Sequence, residues 1–91
     1  MGELNLTKLE RPLKALANRR RLAMLQHIKK YREASVGDIA AALKLSIKAT
    51  SKHLGILVAA DILEREQRSL QVFYKIASDS PASIKSILTI L

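Results

Sequence analysis

The stretch LSIKATSKHLGIL, Leu45 to Leu57, decides the fold. Ser46 is a good helix N-cap, because a hydroxyl there accepts from an orphan backbone N–H in the first turn. The spacing beyond it predicts a helix to about Ala60, with Ile47, Thr50, Leu54, Leu57 and Val58 as an apolar inner stripe. Lys48, Ala49, Ser51, Lys52 and His53 occupy the rest of its surface. Such a helix needs a scaffold behind it and an anionic surface in front.

Working outward, Ser35-Val-Gly-Asp38 has the form of a capping box with Asp in place of Glu, and Val36, Ile39, Ala40 and Leu43 follow at helical spacing. That predicts a short helix, joined to the one above by a tight turn at Lys44-Leu45. Asn18 caps a helix over Arg19 to about Tyr31, with Leu22, Met24, Leu25 and Ile28 inward, and REAS is a polar break after it. Thr7-Lys-Leu-Glu10 resembles a capping box, and Leu6, Leu9, Leu13 and Leu16 extend a first helix to about Ala17. Pro12 either kinks that helix or begins it. From Ile62 the period changes to two, giving a β-hairpin to Ile76 with a charged tip at Gln67-Arg-Ser69. Ser80-Pro81 caps a last helix with Ile84, Ile87, Leu88 and Leu91 on one side. The expected fold is mainly α with a small β-hairpin, in the order α-α-α-α-β-β-α.

The chain has 91 residues, sixteen Lys and Arg against eight Asp and Glu, and a net charge of +8. Its length fits one domain, residues 1–91. The charge points to a polyanion, nucleic acid before membrane surface. With no cysteine there is no disulfide or thiolate site, and the opening MGELNLTKLE fits neither a signal peptide nor a membrane span, so a cytoplasmic protein is expected. Tyr31, Phe73 and Tyr74 are the only aromatic residues, which favours duplex DNA over stacked single strands.

Two short helices joined by a turn of about three residues, the second basic outside, form a helix-turn-helix, whose second helix enters the major groove. The hairpin after it would lie along the backbone as a wing, with Arg65 and Arg68 reaching phosphates. Arg19, Arg20 and Arg21 fill the first turn of their helix, where the positive end of the dipole disfavours cations by about 0.3 to 1 kcal/mol each. A phosphate held there would offset that.

Leu13-Lys-Ala-Leu-Ala-Asn-Arg-Arg-Arg-Leu-Ala-Met-Leu25 resembles the K-A-L-A-D-P-x-R-x-x-I-L opening of ArsR-type winged-helix transcriptional regulators. Leu45 to Leu57 is similar to their S-x-x-x-V-S-x-H-L-x-x-L recognition helix, and Val72-Phe-Tyr-Lys-Ile76 to their V-x-Y-x-L wing strand. The likeness spans roughly residues 9 to 77. It implies a homodimer joined through the first and last helices, binding a near-palindromic operator and repressing transcription until an unspecified effector releases it. Many relatives sense metals through cysteines in helix three or through Asp and His in the last helix; this chain has Val36, Gly37 and Asp38 at the first position and no histidine after His53. No metal or cofactor is therefore expected. Lys44 stands where many such turns carry glycine, Thr50 where valine is usual, and the wing turn lacks glycine.

The DNA-contacting set is thus Lys48, Ala49, Ser51, Lys52, His53, Arg19, Arg20, Arg65 and Arg68. Plainer readings stand beside it: a solvated face for the lysines, a bond to its own helix for Ser51, packing for His53, an ion pair for Arg21, an ordinary surface place for His27. Gly55 either permits close approach of another backbone or merely weakens the helix. The stripes Leu6-Leu9-Leu13 and Ile84-Ile87-Leu88-Leu91 are expected at the dimer interface, because exposed apolar stripes mark association. Competing functions are a winged-helix module docking an acidic protein, a non-specific architectural DNA binder and a basic membrane binder. The eight acids are dispersed and no phosphate loop or nucleophile-base grouping appears, so an enzyme is not expected.

Overall fold

The computed structural model describes residues 5–91, so Met1 to Leu4 lie outside it. Its elements are α1 (Leu6–Leu16), α2 (Arg19–Tyr31), β1 (Ala34–Ser35), α3 (Val36–Leu43), α4 (Ile47–Ala59), β2 (Leu63–Arg68), β3 (Gln71–Ile76), a 3-10 turn (Ala82–Ile84) and α5 (Lys85–Ile90). Three of the expected caps close as read. Asn18 Oδ1 accepts from Arg21 N at 3.1 Å, Ser35 Oγ from Asp38 N at 3.1 Å, and Ser46 Oγ from Ala49 N at 3.0 Å.

Two helix starts differ from expectation. Asn5, not Thr7, caps α1, its Oδ1 accepting from Lys8 N at 3.1 Å. Thr7 therefore lies inside the first turn and Glu10 beyond it, and Pro12 is an interior, buried residue. At the other end, Ser80 makes no cap; Pro81 leads into the 3-10 turn, from which α5 continues without a side-chain cap.

The sheet has one strand more than the sequence revealed. Its order is β1-β3-β2, with Ala34 opposite Tyr74 and Ser35 opposite Phe73. Ser35 closes β1 and caps α3, so the helix pair starts directly from the sheet. In the hairpin Arg68 pairs with Gln71, which leaves a two-residue turn of Ser69 and Leu70. The tip is thus not the charged Gln67-Arg-Ser69 segment. Ser69 takes φ 57°, as the II′ class of hairpin turn requires at its first central residue, and Leu70 is 96% exposed.

Met24, Leu25, Ile28, Ile39, Leu54, Leu57, Ile62 and Ile84 are wholly buried in one cluster that α2, α3, α4 and the sheet share. Lys29 Nζ donates to Leu88 O at 2.8 Å, Thr89 O at 2.7 Å and Leu91 O at 3.2 Å, satisfying carbonyls at the end of α5 that no helical N–H can reach.

Lys44 joins α3 to α4 in the left-handed region, at φ 57° and ψ 45°. A side chain there costs about 1 kcal/mol or more relative to glycine, partly offset by the freer unfolded chain. Lys44→Gly should stabilise the domain by about 0.5 to 1 kcal/mol and raise Tm by a few degrees in thermal unfolding; a lower Tm would contradict this account of the turn.

Candidate nucleic-acid interface

Thr50, Leu54 and Leu57 hold α4 against the core, and the Thr50 hydroxyl donates to Ser46 O at 2.8 Å. Lys48, Ser51 and Lys52 are exposed on the other side, with Ala49 half-buried beside them. Ile47, read as part of the inner stripe, is instead 53% exposed. It is the first residue of α4 and lies outside the core cluster. A methyl group placed on Gly55 would meet nothing within 4 Å, so no other backbone approaches it among the described residues.

His53 turns back toward the domain. It is half-buried, and Arg21 Nη1 donates to its Nδ1 at 3.2 Å. Burial holds its pKa below the usual histidine value, with the charges of Arg21, Arg20 and Lys52 acting in the same direction. Since arginine can only donate, Nδ1 must be the acceptor, and the ring is the neutral tautomer with its proton on Nε2.

The three arginines of α2 separate. Arg19 and Arg20 are exposed at the helix start. Arg21 is half-buried, and besides His53 it donates through Nη2 to Lys14 O at 3.2 Å and through Nε to Ala15 O. Those carbonyls belong to the last turn of α1, the negative end of that helix. Arg21 is thus engaged within the chain, and the ion-pair reading of it gives way to carbonyl and imidazole acceptors.

The wing separates in the same manner. Arg65 is exposed and has no ion pair among the described residues. Arg68, expected to reach a phosphate, is tied down: Nη1 and Nη2 donate to the Glu33 carboxylate at 2.9 and 2.7 Å, Nη2 also to Glu66 at 3.0 Å, and the guanidinium lies 4.7 Å from the Phe73 ring centre. Glu64 is occupied by Ser78 and Lys75. The bidentate partner of Arg68, Glu33, lies thirty-five positions away, beyond any local pattern.

The residues expected at a dimer interface also divide. Leu6 and Leu13 are 70% and 41% exposed, and with Leu9 they line an open apolar hollow on α1. Ile87 and Leu91 are half-buried. Ile84 and Leu88 are corrections: at 0% and 8% exposure they sit in the chain's own core and offer no surface to a second copy. Ile90, which the helical stripe did not include, is 82% exposed.

The profile of a helix-turn-helix domain family matches residues 16–66, from the end of α1 into β2. Two named relatives are similar over most of the chain. The Biofilm growth-associated repressor of Agrobacterium fabrum is 33% identical over 92% of this chain and 77% of its own length. The transcriptional activator HlyU of Vibrio cholerae is 34% identical over 87% of this chain and 69% of its own. The solved structure of HlyU superposes with a TM-score of 0.81 at 32% identity, covering 98% of this chain and 92% of that one. A homodimeric winged helix-turn-helix DNA-binding domain from Mycobacterium bovis, Mb0332, described as a possible ArsR-family regulator, superposes at 0.80 with 25% identity, covering 99% of this chain and 85% of that one. The chain belongs to the ArsR-type winged helix-turn-helix transcriptional regulators.

Within that family's architecture α3 and α4 are the helix-turn-helix and β2–β3 the wing. Among the described residues no three His, Cys, Asp or Glu side chains gather as a metal set. Among them, too, no helix is long and apolar enough to cross a membrane.

The Arg68 clasp gives a pH prediction. Its hydrogen bond holds the Glu33 carboxyl below the usual value of 4.5, with burial opposing and charge assisting. A folded pKa below the unfolded one means stability that is present above pH 4.5 and lost as pH falls through the lowered value. Glu33→Gln should therefore lose less Tm than wild type on acidification below pH 4.5, and identical acid limbs would show that the clasp is not linked to folding.

Proposed function

We propose that the chain is a homodimeric, sequence-specific repressor that sets α4 in the major groove of a near-palindromic operator and lays β2–β3 along the flanking backbone. The observation that carries this reading is the front of α4: Lys48, Ser51 and Lys52 are exposed on a helix with no acidic residue, while its back is buried. Arg19 and Arg20 add cations at the start of α2, where a phosphate would meet both the side chains and the positive helix end. Arg65 is the wing cation left for phosphate, and Arg68 would have to leave Glu33 to join it. Relatives named as a repressor and an activator support regulation at DNA, and the homodimeric neighbour supports pairing. A cytoplasmic place follows from that role.

The test is binding to a duplex that the chain selects from a random-sequence pool. A dimer neutralising six to ten phosphates should give log K falling against log salt with a slope of roughly −5 to −9. Lys52→Ala should weaken binding to the selected duplex by about 1 to 3 kcal/mol if it reads a base, and equally on all duplexes if it touches phosphate alone. No duplex retained at low salt would end this reading, and equal affinity for selected and random duplexes would leave a non-specific binder.

The dimer is tested separately. Leu13→Glu puts a charge into the apolar hollow of α1 without touching the core, and sedimentation should then find a monomer with intact helical dichroism. An unchanged dimer would move the interface elsewhere.

A further inference from the structure

Arg21 makes contacts that neither the DNA-binding reading nor the hydrophobic core requires. Its guanidinium meets acceptors from two other helices: the carbonyls of Lys14 and Ala15 in the last turn of α1, and the imidazole of His53 in α4. No carboxylate neutralises it among the described residues. The groups that face His53 are all cationic, Arg21 and Arg20 from α2 and Lys52 from α4 itself. A cation held by α1 carbonyls and a neutral ring is directional: the planar fork fixes both the distance and the angle between its acceptors. His53 lies between Lys52 and Leu54, so the ring that Arg21 holds adjoins both a core leucine and a lysine of the exposed face.

We propose that Arg21 is the positioning residue of the recognition helix, bridging the end of α1 to His53 and so setting where Lys48 and Lys52 stand relative to the rest of the molecule. This rests on the DNA-binding reading above. It assigns His53 to the inside of the device rather than to the groove. It also gives α1 a second role: on the dimer reading, the helix that would meet a second copy is the helix to which α4 is tethered, so the separation of two recognition helices would be transmitted through this guanidinium.

The experiment uses the full chain and three variants. Arg21→Lys keeps the charge but replaces the fork by a single point that cannot span three acceptors. His53→Asn places a carbonyl oxygen near the position of Nδ1 and keeps an acceptor, and His53→Leu removes it. For Arg21→Lys, the ring nitrogen shifts of neutral His53 in NMR should show the loss of the hydrogen bond that Arg21 donates to Nδ1. Affinity for the duplex selected by wild type should fall about tenfold, the worth of a hydrogen bond to a charged group. Binding to random duplex and the salt slope should stay unchanged, because the charge count is unchanged. His53→Asn should stay near wild type on the selected duplex, with His53→Leu falling as Arg21→Lys does.

Unmoved His53 ring nitrogen shifts overturn the proposal, as does equal loss on both duplexes. Equal loss in His53→Asn and His53→Leu overturns it too, since the ring would then be touching DNA itself. If wild type selects no duplex at all, the DNA-binding reading falls and takes the proposal with it, whereas unmoved ring nitrogen shifts beside normal selection sink the proposal alone.

Discussion

The burial of the inner side of α4 is the constraint on which the outer side depends. Leu54 and Leu57 are excluded from solvent, and each contributes about 1.5 to 3 kcal/mol. The Ser46 cap adds about 1 kcal/mol, so packing rather than local preference fixes the helix. Thr50 is the polar member of that side, fully buried, and its hydroxyl finds Ser46 O, which removes the penalty of burying an unpaired donor. With the back secured, the front is free of structural duty. It carries no carboxylate, so its lysines are not neutralised within their own helix.

The basic side chains divide by whether the fold already uses them. Lys29 satisfies carbonyls at the end of α5, Arg21 satisfies carbonyls at the end of α1, and Arg68 is held by Glu33 and Glu66. Each is a cation stabilised by acceptors of the chain itself. Arg19, Arg20, Lys48 and Lys52 are exposed and have no ion pair among the described residues. A net charge of +8 therefore overstates the wing and understates the contrast between it and the starts of α2 and α4.

Helices α2, α3 and α4 were legible because each has a side-chain cap followed by an apolar stripe of period 3.6, two signals that agree. At the start of α1 two polar residues, Asn5 and Thr7, are near enough to cap, and Asn5, the earlier, does so. β1 has two residues, too few for any alternation to show, and its pairing with Tyr74 and Phe73 is long-range. The same holds for the site. Exposure of Lys48, Ser51 and Lys52 followed from helical periodicity, whereas the Arg68–Glu33 and Arg21–His53 pairs join residues thirty-five and thirty-two positions apart. A stripe shows that one side of a helix is apolar without showing what covers it, and for Ile84 and Leu88 the cover is the chain's own core.

The two terminal helices answer that question differently. α5 has six residues, too few to persist alone, and is held by Ile84 and Leu88 in the core and by Lys29 at its end. α1 is less well provided for. Its inward side is Pro12, Ala15 and Leu16, and an interior proline costs about 3 kcal/mol through the lost bond to the preceding turn. Its leucines Leu6 and Leu13 stand largely in solvent, so the chain by itself gains little from them. On the dimer reading a second copy supplies the missing burial, at most about 1.5 to 3 kcal/mol for Leu6 and less for the partly covered Leu13. Association and the order of α1 are then one equilibrium. Because Arg21 binds the last turn of α1, the placement of α4 belongs to that equilibrium as well.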